Sequence, residues 1–249
     1  MKIGLKILVF LAFSWGSLDA QTIIPGWFEN LPDAPAGNMY AVGYSGKYIN
    51  QSIARQAAIK KALHNMVKQQ RTRLVFEIEE YSDGRLRLLN PSLELSYDES
   101  ILNRIEATYA TIDSSITYDG YFILISLNSL QRAPRVPSDD TGWDENKPKW
   151  TTSLPKSKNF NYGVGIVSNY SSWVRAWNDA DEYARFDLGK NIKIDAHSIH
   201  AIERDNKYII ESKILQQSYD ENIEGAIIVS RWYDAENDTY YSLCRQKKL

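Results

Sequence analysis

The chain has one cysteine, Cys244, so no internal disulfide can form and the fold must rest on packing. An unpaired cysteine in a strand-like stretch, with nothing nearby to suggest a lowered pKa, reads as an inert, half-buried strand residue, not a reactive thiol. Histidine is nearly as scarce: His64, His197 and His200 are all there are. No His-Glu-x-x-His order occurs, and in the strand expected over 194–202 an i, i+3 histidine pair points to opposite faces, which argues against a metal site. There is no Gly-x-Ser-x-Gly elbow, and the lone cysteine has no fixed histidine partner. The adjacent carboxylates Asp98/Glu99 and Glu79/Glu80 read as solvated, the first pair suiting a helix start. Tyr162-Gly163-Val164-Gly165 lacks the third glycine of a dinucleotide turn and reads instead as a strand ending in a tight bend. No enzyme, cofactor or metal is therefore expected. An excess of positive charge is missing as well, with 29 basic against 31 acidic residues and a net charge of −2. That balance excludes a field able to hold nucleic acid.

No apolar run is long enough to span a bilayer. The strongest, Ile7 to Phe13, follows Lys2 and Lys6 and precedes Gly16-Ser17-Leu18-Asp19-Ala20, the basic, apolar, small-residue order of a secretory signal. Residues 1–20 are expected to be that signal, cleaved before Gln21. A lipid anchor would need cysteine where Gln21 stands.

What the chain does have is an internal repeat. Pro25-Gly26-Trp27, Pro32, Tyr40-Ala41-Val42-Gly43, Ala54, Ala58 and Ala62 return as Pro148-Lys149-Trp150, Pro155, Tyr162-Gly163-Val164-Gly165, Ala176, Ala180 and Ala184. Ser96-Tyr97-Asp98-Glu99 returns as Ser218-Tyr219-Asp220-Glu221 at the offset that relates the alanines. A tetrapeptide sharing a register with an unrelated spacing pattern points to duplication. The expected fold is α+β: two tandem similar domains, 21–132 and 148–249, joined by a Pro-containing linker at 133–147.

In the first half, Trp27 is expected in a Pro-bounded loop, followed by a strand over 39–43 and a helix over 50–70. Leu74 to Tyr81 reads as a strand before a turn at Asp83-Gly84, 97–107 as a short helix, and 110–125 as a β-hairpin turning at Asp119-Gly120. The second half repeats this with a strand to Gly165, a helix over 172–190, a strand over 194–202 and a final hairpin turning at Asn237-Asp238. Alanines at i, i+4 and i+8 make a low ridge that lets each helix lie close to its sheet. The second half is shorter after its Ser-Tyr-Asp-Glu, a difference expected to fall in loop.

Both halves resemble the domain of the bacterial Lpp-twenty lipoprotein family, which is similar to the N-terminal domain of the flagellar assembly protein T. The residues that carry the resemblance are Trp27, Tyr40, Gly43 and the first alanine triad, then Trp150, Tyr162, Gly165, the second triad, Trp232, Tyr240 and Tyr241. It implies helix-on-antiparallel-sheet domains, an exported, periplasmic or outer-membrane-associated protein, and no catalytic residues. The chain departs from the family in lacking the lipobox cysteine.

Seven Trp and sixteen Tyr exceed what two small cores need. Trp173 and Trp177, with Tyr170 and Tyr183 nearby, and the cationic Lys60, Lys61 and Lys68 are the candidate partner surface, against the alternative of a core stripe and a solvated face. Expected partners are other envelope proteins or a second copy of the chain, with peripheral proximity to a membrane but no lipid anchor. A rival reading is a small ligand or glycan held between the two domains against tryptophan faces.

Overall fold

The computed structural model describes residues 24–80, 86–97, 100–128, 146–204 and 215–248. The expected signal, most of the expected linker, the Asp83-Gly84 turn and the Asp98/Glu99 pair lie outside them. The architecture is α+β. Helix α1 (Gly26–Glu29), strand β1 (Tyr40–Gly46), helix α2 (Gln51–Gln70), strands β2 (Thr72–Glu80) and β3 (Leu86–Ser96), helix α3 (Ser100–Glu106) and the hairpin β4 (Ala110–Ile116) and β5 (Gly120–Ser126) come first. A 3-10 turn (Lys149–Thr151), strand β6 (Phe160–Ser168), helix α4 (Trp173–Arg204), strand β7 (Leu215–Ile223) and the hairpin β8 (Ile227–Asp234) and β9 (Thr239–Lys247) follow.

Three antiparallel sheets result, in the orders β1-β5-β4, β3-β2-β7 and β6-β9-β8. On the first lies α2, which starts where the Asn50 side chain accepts the Ser52 N–H. Its ridge of Ala54, Ala58 and Ala62 is buried against Ala41, Ile123 and Ile125. The helix approaches so closely that a Cβ on Gly43 would stand 1.9 Å from the Ala58 carbonyl oxygen. The third sheet carries α4 in the same manner: a Cβ on Gly165 would stand 1.9 Å from the Ala180 carbonyl oxygen and 2.5 Å from the Ala184 nitrogen. Small residues on both sides of each contact are what allow main chain to meet main chain.

The two halves share both core and sheet. The face of the first sheet away from α2 presents Tyr40, Val42, Tyr44, Phe122 and Leu124, and these form one cluster with Trp27, Phe28, Ala176 and Trp177. Helix α4 is thus packed between two sheets, giving the layer order α2, first sheet, α1 with α4, third sheet. The middle sheet pairs β2 of the first half with β7 of the second along nine residues, from Thr72↔Ile223 to Glu80↔Leu215.

Several elements differ from expectation. Both Pro-x-Trp segments are single helical turns, closed by Phe28 N–H to the Pro25 carbonyl and Thr151 N–H to the Pro148 carbonyl. Strand β3 is additional. The segment 194–202, expected as a strand, continues α4: no proline or turn signal interrupts the chain there, and extending a formed helix is easy compared with starting one. His197 and His200 are therefore helical, and the opposite-face argument, which requires a strand, does not apply to them. The shorter stretch after Ser218-Tyr219-Asp220-Glu221 removes more than loop. In the first half Ser96 ends β3 and α3 follows, whereas the second copy lies inside β7 and leads straight to β8.

Candidate interaction site

The residues singled out in the sequence separate into a buried seam and an exposed remainder. Trp177 is 2% exposed and meets Phe28 and Tyr240 edge-on, with ring centroids 5.5 and 5.0 Å away. Trp173 stacks on Phe122 at 5.4 Å and tilts over Tyr44. Tyr170 donates its hydroxyl to Asp179 at 2.7 Å, a bond that with burial raises its pKa to about 12. Lys61 donates to Asn178, and Lys68 pairs with Glu182, both reaching from α2 to α4. The surface these aromatics and lysines recognise is the other half of the same chain. Lys60 and Tyr183 stand exposed.

Beneath the tryptophans runs a buried polar network that sequence reasoning missed. The row Gly165, Ser242, Arg231 crosses the third sheet in register on its α4 side, and Asp181 projects onto it. Asp181 accepts two bonds from Arg231, at 3.1 and 2.9 Å, and the Ser242 hydroxyl at 2.7 Å. Arg231 also donates to the Phe28 carbonyl at 3.1 Å and lies over the Phe28 ring, so one guanidinium joins β8, α4 and α1. Burial alone would push the Asp181 carboxyl up; the charge and bonds of Arg231, the charge of Arg185 and the Ser242 bond outweigh it, leaving it below the usual carboxylate range. Glu182, Arg185, Lys61 and Lys68 extend the network, so that these named groups comprise four cations and two anions. Burial, and then the charge of Lys68, lower the Lys61 ammonium to about 8. The only sequence signal for this network was four charged residues, Asp179, Asp181, Glu182 and Arg185, within an alanine-ridged helix.

At one end of the first sheet the apolar character is turned outward. Ile49 is fully exposed in the β1–α2 loop, beside Tyr48 at 47%, and Ile53 in the first turn of α2 is 49% exposed. The β4–β5 turn meets this loop, because Gly46 pairs with Gly120 and the Lys47 ammonium sits 4.0 Å above the Tyr118 ring. Tyr118 is 74% exposed and Ile116 59%. Ile116 stands opposite Tyr121 across the hairpin, hence on the α2 side of the sheet. Five large side chains thus form an open apolar end from three adjacent segments. Single exposed hydrophobics are ordinary on a protein surface; several from segments that meet at one end are what contact sites present.

Among the described residues no three His, Cys, Asp or Glu side chains gather as metal ligands, and no helix is long and apolar enough to cross a membrane. Cys244 is fully buried, and desolvation pushes its thiol up to about 12. No protein-family model matches the chain, and neither curated proteins nor solved structures include one that matches it.

Proposed function

We propose that this is an exported, non-enzymatic protein of a bacterial envelope, related to the Lpp-twenty lipoproteins, acting in structure or assembly through contact with another protein. The observation that carries the reading is the apolar end formed by Tyr48, Ile49, Ile53, Ile116 and Tyr118. An isoleucine exposed over its whole surface stabilises nothing within the fold, and grouping it with two tyrosines supplies large contact area with polar edges. The seam tryptophans support the reading differently: they are used up inside the chain, so the partner surface moves to this end. The Lpp-twenty relationship rests on the Pro-x-Trp, Tyr-x-Val-Gly and alanine spacings, and export on residues 1–20.

The test is photocrosslinking from position 49 in intact cells, alongside Ile53→Glu and Tyr118→Ala variants that keep the crosslinker at 49. A single crosslinked envelope protein, lost in Ile53→Glu while the melting temperature stays unchanged, is the expected result. Crosslinks spread over many proteins, or a partner indifferent to both substitutions, would refute it. Recovery of the mature chain with Met1 intact in the cytosol would refute export.

A further inference from the structure

A second site lies far along the chain from that apolar end, where the start of β6 meets the end of β9. The main chain there is held firmly: Phe160 pairs with Lys247, and the Lys248 N–H donates to the Asn159 carbonyl at 2.8 Å. Between these strands and the segment from Leu154 to Ser157 is a groove of about 350 Å³. Its size falls at the small end of the roughly 300 to 1,000 Å³ typical of ligand pockets.

The chemistry of its walls is specific. Lys156 and Lys248 line it, and each has a further lysine close by in sequence, Lys158 and Lys247, in a chain whose net charge is −2. Among the described residues none of the four has an ion-pair partner and no carboxylate lines the groove. The acid next to it, Asp187, is already bonded to Lys190, to Asn191 and to the Val164 N–H. Arg245, the other nearby cation, is paired with Asp33 and covers the Phe160 ring. Phe160, Tyr162, Asn161 and Asn191 line the groove as well. The Asn191 NH₂ is spent on the Tyr162 carbonyl and Asp187, which leaves its oxygen to accept, while the Asn161 amide and the Tyr162 hydroxyl have no partner among the described residues. Residues that carry uncommitted ammonium, aromatic, amide and hydroxyl groups thus border one small space.

We propose that this groove binds a single sugar unit bearing one acidic group, a carboxylate or a phosphate. Lys156 and Lys248 hold the acid, an aromatic ring takes a C–H face of the sugar, and Asn161, Asn191 and Tyr162 bond its hydroxyls. A neutral sugar would leave the lysines without a counter-charge, and a bare anion would leave the rings and amides unused. The site is separate from the apolar end, so the two proposals stand or fall independently.

The experiment is calorimetric titration of the full chain with glucuronic acid, glucose 6-phosphate, glucose and inorganic phosphate. At least one of the two sugar acids is expected to bind with a Kd of about 0.1 to 1 mM, and glucose and inorganic phosphate at least roughly tenfold more weakly. Which acid binds tells carboxylate from phosphate recognition. The Lys156→Ala/Lys248→Ala double variant should bind that acid about tenfold less tightly, with melting unchanged because both side chains are exposed. Absence of binding by both acids up to about 10 mM would overturn the proposal. So would glucose or inorganic phosphate binding as well as the acids, or undiminished binding by the double variant.

Discussion

Removing the Asp181 carboxylate should destabilise both halves of the protein together. In Asp181→Ala, Arg231 and Arg185, 4% and 1% exposed, would remain inside with no carboxylate bonded to Arg231, and the Ser242 hydroxyl would lose its acceptor. Breaking a buried ion pair by deleting one partner costs about 3 to 5 kcal/mol, a large share of the roughly 5 to 15 kcal/mol that holds a typical protein folded. For a chain of this length each kcal/mol moves the melting temperature by about 2 to 4 °C, so a drop of about 6 to 20 °C is expected. Because Arg231 also binds the Phe28 carbonyl, and because β2 pairs with β7, the loss should appear as one cooperative transition by circular dichroism and calorimetry. The pair itself need not be stabilising, since apolar groups of similar volume often replace buried ions at little cost. Asp181→Leu combined with Arg231→Met should therefore melt above Asp181→Ala, although it removes more bonds. A shift under about 2 °C for the single variant, a second transition from an unaffected half, or a double variant no better than the single would refute the reasoning.

Gly43→Ala and Gly165→Ala each drive a Cβ into a helix carbonyl 1.9 Å away, main chain against main chain, and should cost at least about 1 to 3 kcal/mol by urea denaturation. Gly46→Ala, whose Cβ would meet only a Val174 methyl at 3.7 Å, is the control expected to leave the midpoint in place. Stability should also depend on acid. The Asp181 carboxyl is held below its unfolded value of about 3.9, so its contribution is present above that pH and is lost as pH falls through the lower folded value. Urea midpoints between pH 5 and pH 2 should fall less steeply in the Asp181→Leu/Arg231→Met variant than in the parent, and parallel curves would contradict this assignment.

Local signals were readable in the sequence, and contacts between distant segments were not. Helix α2 could be placed within a residue because the helical spacing of its alanines and other apolar residues and the following strand formers agree. The hairpins β4–β5 and β8–β9 were equally clear from Asp119-Gly120 and Asn237-Asp238, the last with a positive φ of 44°. Strand β3 was hidden by Pro91, which a central strand would reject. It is tolerated because β3 is an edge strand and its register with β2 shifts between Val75↔Glu94 and Glu77↔Leu89, where the proline falls. That α4 runs on past 190 was not legible either. Gly189 lies in its interior, where a Cβ would stand 2.1 Å from a Leu74 methyl and 2.6 Å from an Ile223 methyl. Both residues arrive from the middle sheet, whose pairing joins residues such as Arg73 and Asp220 across most of the chain, and no local periodicity reports that. The aromatic excess was legible as an interface, but a sequence does not say whether the other side of an interface is a second protein or the chain's own repeat.

How the edges of the sheets are finished bears on the kind of partner this protein can take. Strands β1 and β6 are both edge strands, and exposed edge groups invite a further strand from another chain. In each half one helix residue fills that position. Asn65 donates its side-chain amide to the Val42 carbonyl at 2.8 Å, and Asp187 accepts the Val164 N–H at 3.0 Å, with Asn191 donating to the Tyr162 carbonyl beside it. Asn65 and Asp187, like Val42 and Val164, stand at the offset that relates the alanine triads, so matching helix positions guard matching strand positions, one by donating and the other by accepting. A strand adding to β1 or β6 would have to displace these side chains and leave Asn65, which is 3% exposed, without its bond. Recognition by strand addition is thereby disfavoured on the very edges that the repeat produces twice. Contact through side chains is the mode proposed for the exposed apolar end around Ile49 and Tyr118, and crosslinking from position 49 tests that proposal more directly than any change to these two sheet edges.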